Sequence, residues 1–473
     1  MTADRYHFSS GPRLLAVGAL LALGACATTG PREKIEQSVV VPASWQHGAG
    51  GVLDPAALTK WWERFNDPVL NELITGALRS SPDVRTALSK IAEYRARRGV
   101  VRAGLFPGLT ANVTGGGTHT KDRTTNLTTK SEDYSAALDA SWQVDLFGQQ
   151  QQTLKAASAD LAQTEEYYYG AQVSLAAEVA SAYVILRSAE AQLAVVQHSL
   201  GTRDETVQLT QWREQAGTGN ALDTQQAIST LEQARASIPP LQLTIAQTTN
   251  QLALLSGRSP GALDALLAAP RDIPAVPADL AIGIPAETLR QRPDVRAAER
   301  GLEAALARTS AARRQRLPTL TLTGSLGVEA LKAGQLFSPA ATFASLLGSL
   351  VAPIFDAGRI GANITIQREQ EKQALNAYET TVLTALTDVE NALIAIQRNA
   401  ERLDILTQAT AAAREAAMLA WLQYQAGQVD LLVSLEAQRT LLDLQQQAVT
   451  TAADRITAYI QLYKALGGGW SHL

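Results

Sequence analysis

Ser-Pro-Asp-Val-Arg at residues 81–85 returns as Arg-Pro-Asp-Val-Arg at residues 292–296. Three further landmarks return in the same order, namely Phe106-Pro107 as Leu317-Pro318, Asp145 as Asp356, and Ala216-Gly217 as Ala426-Gly427. The offset between partners is nearly constant at about 211 residues, which is longer than the period of the usual solenoid repeats. The chain is therefore predicted to contain two copies of a whole half-domain.

The N-terminus has the features of a targeting segment. Two arginines precede an apolar stretch at residues 14–23, and Leu23-Gly24-Ala25 precedes Cys26, the only cysteine in the chain. This stretch resembles the lipobox of bacterial lipoproteins, which implies that residues 1–25 are a signal peptide and that Cys26 carries a covalent lipid, with no other cofactor. Because Ala27 follows rather than Asp, the lipoprotein sorting pattern implies the outer membrane. The alternative is an ordinary secreted protein with an incidental cysteine.

The composition excludes several classes of protein. The 473 residues carry a net charge of −4, and no acidic or basic block is long enough to suggest nucleic-acid binding. A single cysteine allows no intrachain disulfide, so stability must come from packing. Beyond the signal peptide, no run approaches the roughly 18 apolar residues of a membrane helix. If the chain crosses a membrane, it is expected to do so as β-strands.

Two segments alternate with the period of a β-strand. Residues 134–142 place Tyr, Ala, Leu, Ala and Trp on one face, and residues 319–328 place Leu and Val opposite Thr and Ser. Strand hairpins are predicted at 108–143 and 319–353. Alternating segments of about ten residues are typical of membrane barrel strands. A strand of a soluble β-sandwich with one solvent-exposed face has the same pattern.

A helical hairpin is predicted after each strand hairpin, at 149–256 and 358–466. Apolar and small residues there fall on alternating three- and four-residue steps, the seam of a coiled coil. The first arm of each has about 65 residues and would span about 100 Å. Gly217 and Gly427 mark the reversals, because glycine adopts the positive φ of a tight helix end. Pro239-Pro240 is expected to break the first return helix.

The predicted fold class is α+β and mostly α, with the two copies as structural repeats. Asp145 and Asp356 stand where each strand hairpin becomes helix, and they are predicted to cap those helices. The order along the mature chain is a lipidated linker at 26–60, the first repeat at 61–256, a proline-rich linker at 257–287, the second repeat at 288–466 and a tail at 467–473.

Each copy contributes two strands, and the four strands of one chain cannot close a barrel. An open edge cannot lie in lipid, because each unpaired amide would cost several kcal/mol. The smallest membrane barrels have about eight strands, so several chains must share one barrel, and three would supply twelve. The helices would continue that barrel as a ring of coiled coils. The sequence therefore predicts an assembled conduit.

Motifs spread over nearly the whole mature chain agree with this interpretation. They are Trp61-Trp62 with Asp67-Pro68, Trp142–Gly148, Arg292–Glu299, Pro353–Asp356, Tyr424–Arg439 and Ala465–Trp470. Together they resemble the TolC-like outer-membrane efflux proteins, in the lipoprotein branch often called NodT-type. The resemblance implies a homotrimer with a twelve-stranded β-barrel and a periplasmic α-helical barrel. It also implies contact with outer-membrane lipid and docking to a periplasmic adaptor (membrane fusion) protein and an inner-membrane transporter, with the resistance-nodulation-division type favoured.

Four residues near the second and first reversals are candidates for a periplasmic gate. In the family that the chain resembles, the hairpin tips close the tunnel, and acidic residues there can form a ring that attracts cations. Asp430 has this position, and Glu436 stands where members of that family often carry Asp. Gly427 and Gly217 are interpreted as turn formers, with adaptor contact implied by the resemblance alone. For Asp430, capping of the return helix is an equally favoured and compatible explanation.

No catalytic or metal site is predicted. Residues 257–261 match the Gly-x-Ser-x-Gly elbow of hydrolases, but a helix precedes them and Pro260 has no N–H to donate. The five histidines lack metal-ligand spacing. The predicted function is a passive outer-membrane channel of a tripartite efflux system. A soluble periplasmic adaptor and a lipid-anchored enzyme with a helical scaffold are the alternatives.

Overall fold

The computed structural model describes residues 41–48, 58–277 and 285–470, apart from the side chain of Glu287. All of these residues belong to one compact unit, Val41–Leu473. Several predicted features lie outside the described residues, wholly or in part: the signal peptide 1–25, Cys26, the linkers 26–60 and 257–287, and the tail 467–473.

The first repeat begins with helices that are capped as the sequence indicates. Asp67 Oδ1 accepts hydrogen bonds from the backbone N–H groups of Val69 and Leu70 at 2.9 and 3.2 Å, and proline follows where no N–H is needed. The break predicted at Pro239-Pro240 is confirmed, because one helix ends at Ala236 and the next begins at Ile238. The elements are a 3₁₀-helix Trp61–Phe65, α1 Pro68–Ser80, α2 Pro82–Ala103, β1 Gly108–Lys121, β2 Thr128–Val144, α3 Gln149–Gln215, α4 Ala221–Ala236 and α5 Ile238–Leu255.

The second repeat has the same order of elements. Its first long helix, α9, has 67 residues, as does α3, which corresponds to about 100 Å. Its return helix, α10, is continuous because its sequence has no proline pair. After α6 Asp264–Leu267, the elements are α7 Pro285–Gln291, α8 Pro293–Arg314, β3 Thr319–Ala330, the 3₁₀ turns Ala333–Gln335 and Pro339–Ala341, β4 Thr342–Val351, α9 Arg359–Gln425 and α10 Leu431–Ala465.

The four strands form one antiparallel sheet in the order β1-β2-β3-β4, so β1 and β4 are its edges. The register is continuous, with Val113 opposite Ala136, Ala136 opposite Val328 and Val328 opposite Thr342. Paired residues share a face, and the other face carries mainly Thr, Ser, Asn and Asp. The first face, called the apolar face below, includes Leu109, Ala111, Val113, Ala136, Leu138, Ala140, Leu322, Leu326, Val328, Leu346 and Leu350.

The helices of the two repeats interleave. The long helix α3 packs against α2 and α5 of its own repeat and against α8 and α10 of the other, while α9 packs against α8 and α10. Buried alanines such as Ala176 and Ala180 in α3 allow these helices to approach closely. Each repeat therefore completes the packing of the other.

An aromatic core surrounds the middle of α3. Trp61 stacks on Tyr463 of α10, with ring centroids 5.2 Å apart. A Cβ on Gly468 would lie 2.9 Å from the carbonyl oxygen of Leu58 and 3.0 Å from the Trp61 ring. The tryptophans and the C-terminal glycines of the sequence motifs thus pack together.

One helix, α3, has the length and apolar composition of a membrane helix, which the sequence did not lead us to expect. Among the described helices, α3 alone is long and apolar enough to cross a membrane by length and composition, with a window of mean hydropathy 1.3. The prediction that no apolar run of membrane-spanning length follows the signal peptide was therefore wrong for α3. Of that window, 56% is buried inside the protein, so its apolar residues serve the core.

A polar network lies inside this core. The hydroxyl of Tyr183, which is fully buried, donates to Asp67 Oδ2 at 2.6 Å. Burial, together with the hydrogen bond to Asp67, raises the pKa of Tyr183 to about 12. The guanidinium carbon of Arg187 lies 4.8 Å from the centre of the Tyr183 ring, and its Nη1 donates to Glu190 Oε2 at 2.7 Å. The network ties α1 to α3.

Candidate functional site

The two helical reversals lie against each other. Arg213, near the end of α3, donates from Nη2 to the backbone oxygens of Tyr424 and Gln425 at 3.2 and 2.9 Å. Its guanidinium carbon lies 4.5 Å from the centre of the Tyr424 ring. The last carbonyls of a helix carry partial negative charge, so this cation sits at the favourable end of α9. One side chain thus joins the tips of the two repeats.

This contact could not be predicted from the sequence. Arg213 and Tyr424 are 211 residues apart in the chain, and no local pattern pairs residues at that distance. The one available signal was position, since both residues stand within four residues of a reversal glycine.

Gly217 and Gly427 form the predicted turns, with φ of +70° and +72°. At each turn the next residue returns an N–H to the last helical turn, from Thr218 to Arg213 O and from Gln428 to Gln423 O, both at 2.9 Å. No described atom beyond the adjoining residues lies within 4 Å of the place where either Cβ would stand. Glycine is therefore required at both turns by the positive φ of the backbone and not by a lack of space for a side chain.

Asp430 stands at the N-cap position of α10, but its side chain makes no capping hydrogen bond. The bond expected from the capping interpretation is therefore not formed. Asn220, its counterpart in the first repeat, does accept from the N–H of Asp223, at 2.8 Å. The N–H of Val433 bonds to the Asp430 carbonyl oxygen at 3.1 Å. The Asp430 carboxylate is exposed at the positive end of α10.

Glu436 lies farther along α10, away from the reversal. Its Oε2 is 3.8 Å from Arg439 Nη1, and both side chains are largely exposed. Such a pair is worth little in water. The carboxylate borders a shallow groove of about 480 Å³ between α9 and α10, lined by Ala413, Ala416, Leu432, Val433, Glu436, Ala437 and Thr440.

The two strand-to-helix junctions are capped by the aspartates that the sequence indicates. Asp145 Oδ2 accepts from the N–H of Gln151 at 2.8 Å. Asp356 accepts from the N–H groups of Gly358 and Ile360 at 3.0 and 2.7 Å. The bond from Ile360 holds the pKa of Asp356 below its usual value. The capping prediction is confirmed at both positions.

The apolar face of the sheet is exposed to the surroundings of the single chain. Val113 and Leu346 are 81% and 84% exposed. A contiguous apolar surface of this kind marks contact with lipid or with another protein. Trp142 stands at the helical end of the same face, where its indole N–H donates to the Leu105 carbonyl oxygen at 2.9 Å.

The hydrolase-like residues 257–261 lie in a turn after α5. The N–H of Gly257 bonds to the carbonyl oxygen of Leu254 at 2.9 Å, so a helix precedes Ser259 where a hydrolase elbow needs a strand. Within the described ranges, no group of three or more His, Cys, Asp or Glu side chains is placed to hold a metal ion.

Known proteins resemble this chain in sequence and in structure. The family model described as outer membrane efflux protein matches residues 73–258 and 284–468. The pyoverdine export outer membrane protein OpmQ of Pseudomonas aeruginosa is 32% identical over 466 residues, 97% of each chain. The toluene efflux pump outer membrane protein TtgC of Pseudomonas putida is 32% identical, over 96% of this chain and 95% of its own. The solved outer-membrane channel OprN superposes with a TM-score of 0.84 at 32% identity, over 92% of this chain and 99% of its own.

Proposed function

Because this chain belongs to the outer membrane efflux protein family, we propose that three copies assemble into one continuous conduit. The chain is an outer-membrane channel component of an efflux system. The trimer is supported above all by one observation, the exposed apolar face of a sheet whose edges are β1 and β4. In lipid those edges need partner strands. Three chains supply twelve strands, above the roughly eight of the smallest membrane barrels.

The helical part continues the conduit into the periplasm. The two long helices of each copy, about 100 Å each, then surround the tunnel together with their return helices. The conduit is passive and does no covalent chemistry. A periplasmic adaptor and an inner-membrane transporter of the resistance-nodulation-division type deliver the substrate, in keeping with relatives whose names place them in efflux pumps. The comparisons favour this channel over the soluble adaptor alternative.

A covalent lipid on Cys26 anchors the mature N-terminus in the outer membrane. The support is the sequence around Cys26 alone, which lies outside the described residues.

The helical tips form the gate. The contact of Arg213 with Tyr424 and Gln425 favours the arrangement described above, and an adaptor that binds an open arrangement better would shift the population towards it. In the trimer, three Asp430 carboxylates form an acidic ring that favours cations. Glu436, which borders the groove between α9 and α10, is the second acidic candidate for the gate.

One experiment tests the assembly and the ring together. The mature protein is purified in detergent, weighed by native mass spectrometry and reconstituted in planar bilayers. A trimeric mass and a defined conductance are expected, and Asp430→Asn should lower the cation-to-anion permeability ratio several-fold at an unchanged mass. Asp404→Asn, an equal loss of charge on the surface of α9, serves as the control. A mature protein that is a stable monomer in water without detergent would contradict the proposal and favour the soluble adaptor.

A further inference from the structure

Two aromatic residues stand near opposite ends of the apolar face of the sheet. Trp142 and Tyr134 are both on β2 and share this face, since they are an even number of residues apart and the register has no bulge. Trp142 comes eight positions after Tyr134, which is about 27 Å along an antiparallel strand. For a strand tilted by about 40°, this corresponds to about 21 Å along the membrane normal, slightly less than the roughly 25 Å apolar band that aromatic girdles border in membrane barrels.

The first strand hairpin continues beyond Tyr134 with basic residues on the same face. His119 is paired with Lys130, and Lys121 with Thr128, so all three basic side chains share the face of Tyr134. Arg123 stands in the turn between β1 and β2. These four residues, His119, Lys121, Arg123 and Lys130, are called the basic rim below.

The neighbouring acidic residues only partly offset this charge. Asp122 accepts from the N–H of Thr124 at 2.8 Å and from the hydroxyl of Thr125 at 2.7 Å, which fixes the turn. Glu132, opposite Gly117, is the acidic residue on the rim's own face, and Asp133 is on the opposite face. Lys121, Lys130 and Arg123 stand against Glu132 on the same face and Asp122 in the same turn. The rim's side of the hairpin therefore has one net positive charge.

We propose that the basic rim binds the phosphate groups of the bisphosphorylated glycolipid in the outer leaflet of the outer membrane. The proposal rests on the proposed function, because it takes the sheet to span this membrane with the helices on the periplasmic side. The hairpin turn then lies at the outer surface, and Lys130 and Lys121 (opposite Thr128) lie about 14 and 20 Å beyond Tyr134 along the strand. Their long side chains can extend from there to phosphate in the headgroup layer.

Charge complementarity favours this occupant over other lipids. Each basic residue near an anionic membrane surface contributes about 1 kcal/mol of attraction. Two lysines on adjacent strands and an arginine in the turn match a headgroup with two phosphates better than a lipid with one. The contact would fix the depth of the barrel in the bilayer.

The test uses the full mature chain in detergent with purified rough-type lipopolysaccharide as the probe. Binding is measured by native mass spectrometry and by titration in mixed micelles. The Lys121→Gln/Lys130→Gln double variant is expected to bind about 25-fold more weakly, roughly fivefold for each lysine. Lys60→Gln removes an exposed lysine of the helical part, which forms only an exposed ion pair with Glu63 at 3.5 Å, and should bind as the wild type does.

Three further probes identify the ligand chemistry. Dephosphorylated glycolipid, phosphatidylglycerol micelles and inorganic phosphate are each expected to bind at least tenfold more weakly than the intact glycolipid. Equal binding of any of them, or unchanged binding by the double variant, would overturn the proposal. A preparation that stays monomeric but binds the glycolipid with this lysine dependence would contradict the trimer and leave the rim supported.

Discussion

At the scale of single residues, the buried hydroxyl of Tyr183 makes a measurable contribution to stability. Tyr183→Phe removes the donor to Asp67 Oδ2, while the backbone N–H groups of Val69 and Leu70 still bond to that carboxylate. A loss of about 1–3 kcal/mol in the free energy of unfolding is expected. Thermal unfolding in detergent, followed by circular dichroism at pH 8, measures it. Tyr167→Phe, at an exposed tyrosine of the same helix, is the control and should change little.

The same residue also predicts a dependence on alkaline pH. The pKa of Tyr183 is raised to about 12 in the folded protein, against about 10 when unfolded. Its contribution is therefore fully present below pH 10 and is lost as the pH rises towards 12. Between pH 8 and 11, the wild type should lose more stability than Tyr183→Phe. Equal losses would show that another group dominates alkaline unfolding.

Two glycines of α9 and its turn provide a matched pair of substitutions. Gly427 has φ of +72°, so Gly427→Ala should destabilise the protein by about 1–2 kcal/mol. Gly361 lies inside α9 without a positive φ, and no described atom outside its own helical surroundings stands within 4 Å of its Cβ position. Gly361→Ala should therefore be neutral or stabilising by about 0.5–1 kcal/mol. The same unfolding assay compares them, and a similar loss in both would refute the conformational explanation.

At the scale of elements, the tip contact between α3 and α9 predicts a change in gating. Arg213→Gln removes the cation over Tyr424 and its charged donor to two carbonyl oxygens. A loss of about 1 kcal/mol or more in the arrangement that this contact stabilises, which the proposed gate takes as the closed one, raises the open-to-closed ratio at least fivefold. Single-channel recordings of open probability measure the effect. Arg398→Gln, which breaks only an exposed pair with Glu401, should leave the recordings unchanged. An equal effect of the two variants would exclude a gating role for the Arg213 contact.

The elements also show which parts of the structure the sequence could predict. The α+β fold class, the long helices and the turns at Gly217 and Gly427 follow from periodicity and local turn chemistry, which need no knowledge of distant residues. The pairing of β2 with β3 joins the two repeats, and the alternation alone does not specify it. The contact of Arg213 with Tyr424 is also long-range. The missing cap at Asp430 is a choice between rotamers at an exposed site, which sequence does not determine.

At the scale of the whole molecule, one sheet of four strands serves two different environments. Its apolar face needs lipid, its polar face needs water, and its edges need further strands. In the proposed trimer all three needs are met at once, because closing the barrel pairs the edges and separates the two faces. A soluble sandwich would need a second layer over the apolar face, and the helices pack elsewhere, against one another and the aromatic core.

Neighbouring residues of a central strand test this division. Leu326 on β3 lies on the apolar face and is 62% exposed in the single chain, whereas Ser325 lies opposite Asp139 and Ser345 on the polar face. An arginine at the lipid face costs about 2–4 kcal/mol near the bilayer centre, and a trimer carries this cost in every copy. Leu326→Arg should therefore sharply reduce the yield of membrane-inserted trimer in native mass spectrometry. Ser325→Arg should assemble normally and shift the reversal potential towards anions, because its charge faces the water-filled lumen. If both variants assembled equally well, the apolar face would not be the lipid face, and the barrel would lose its main support.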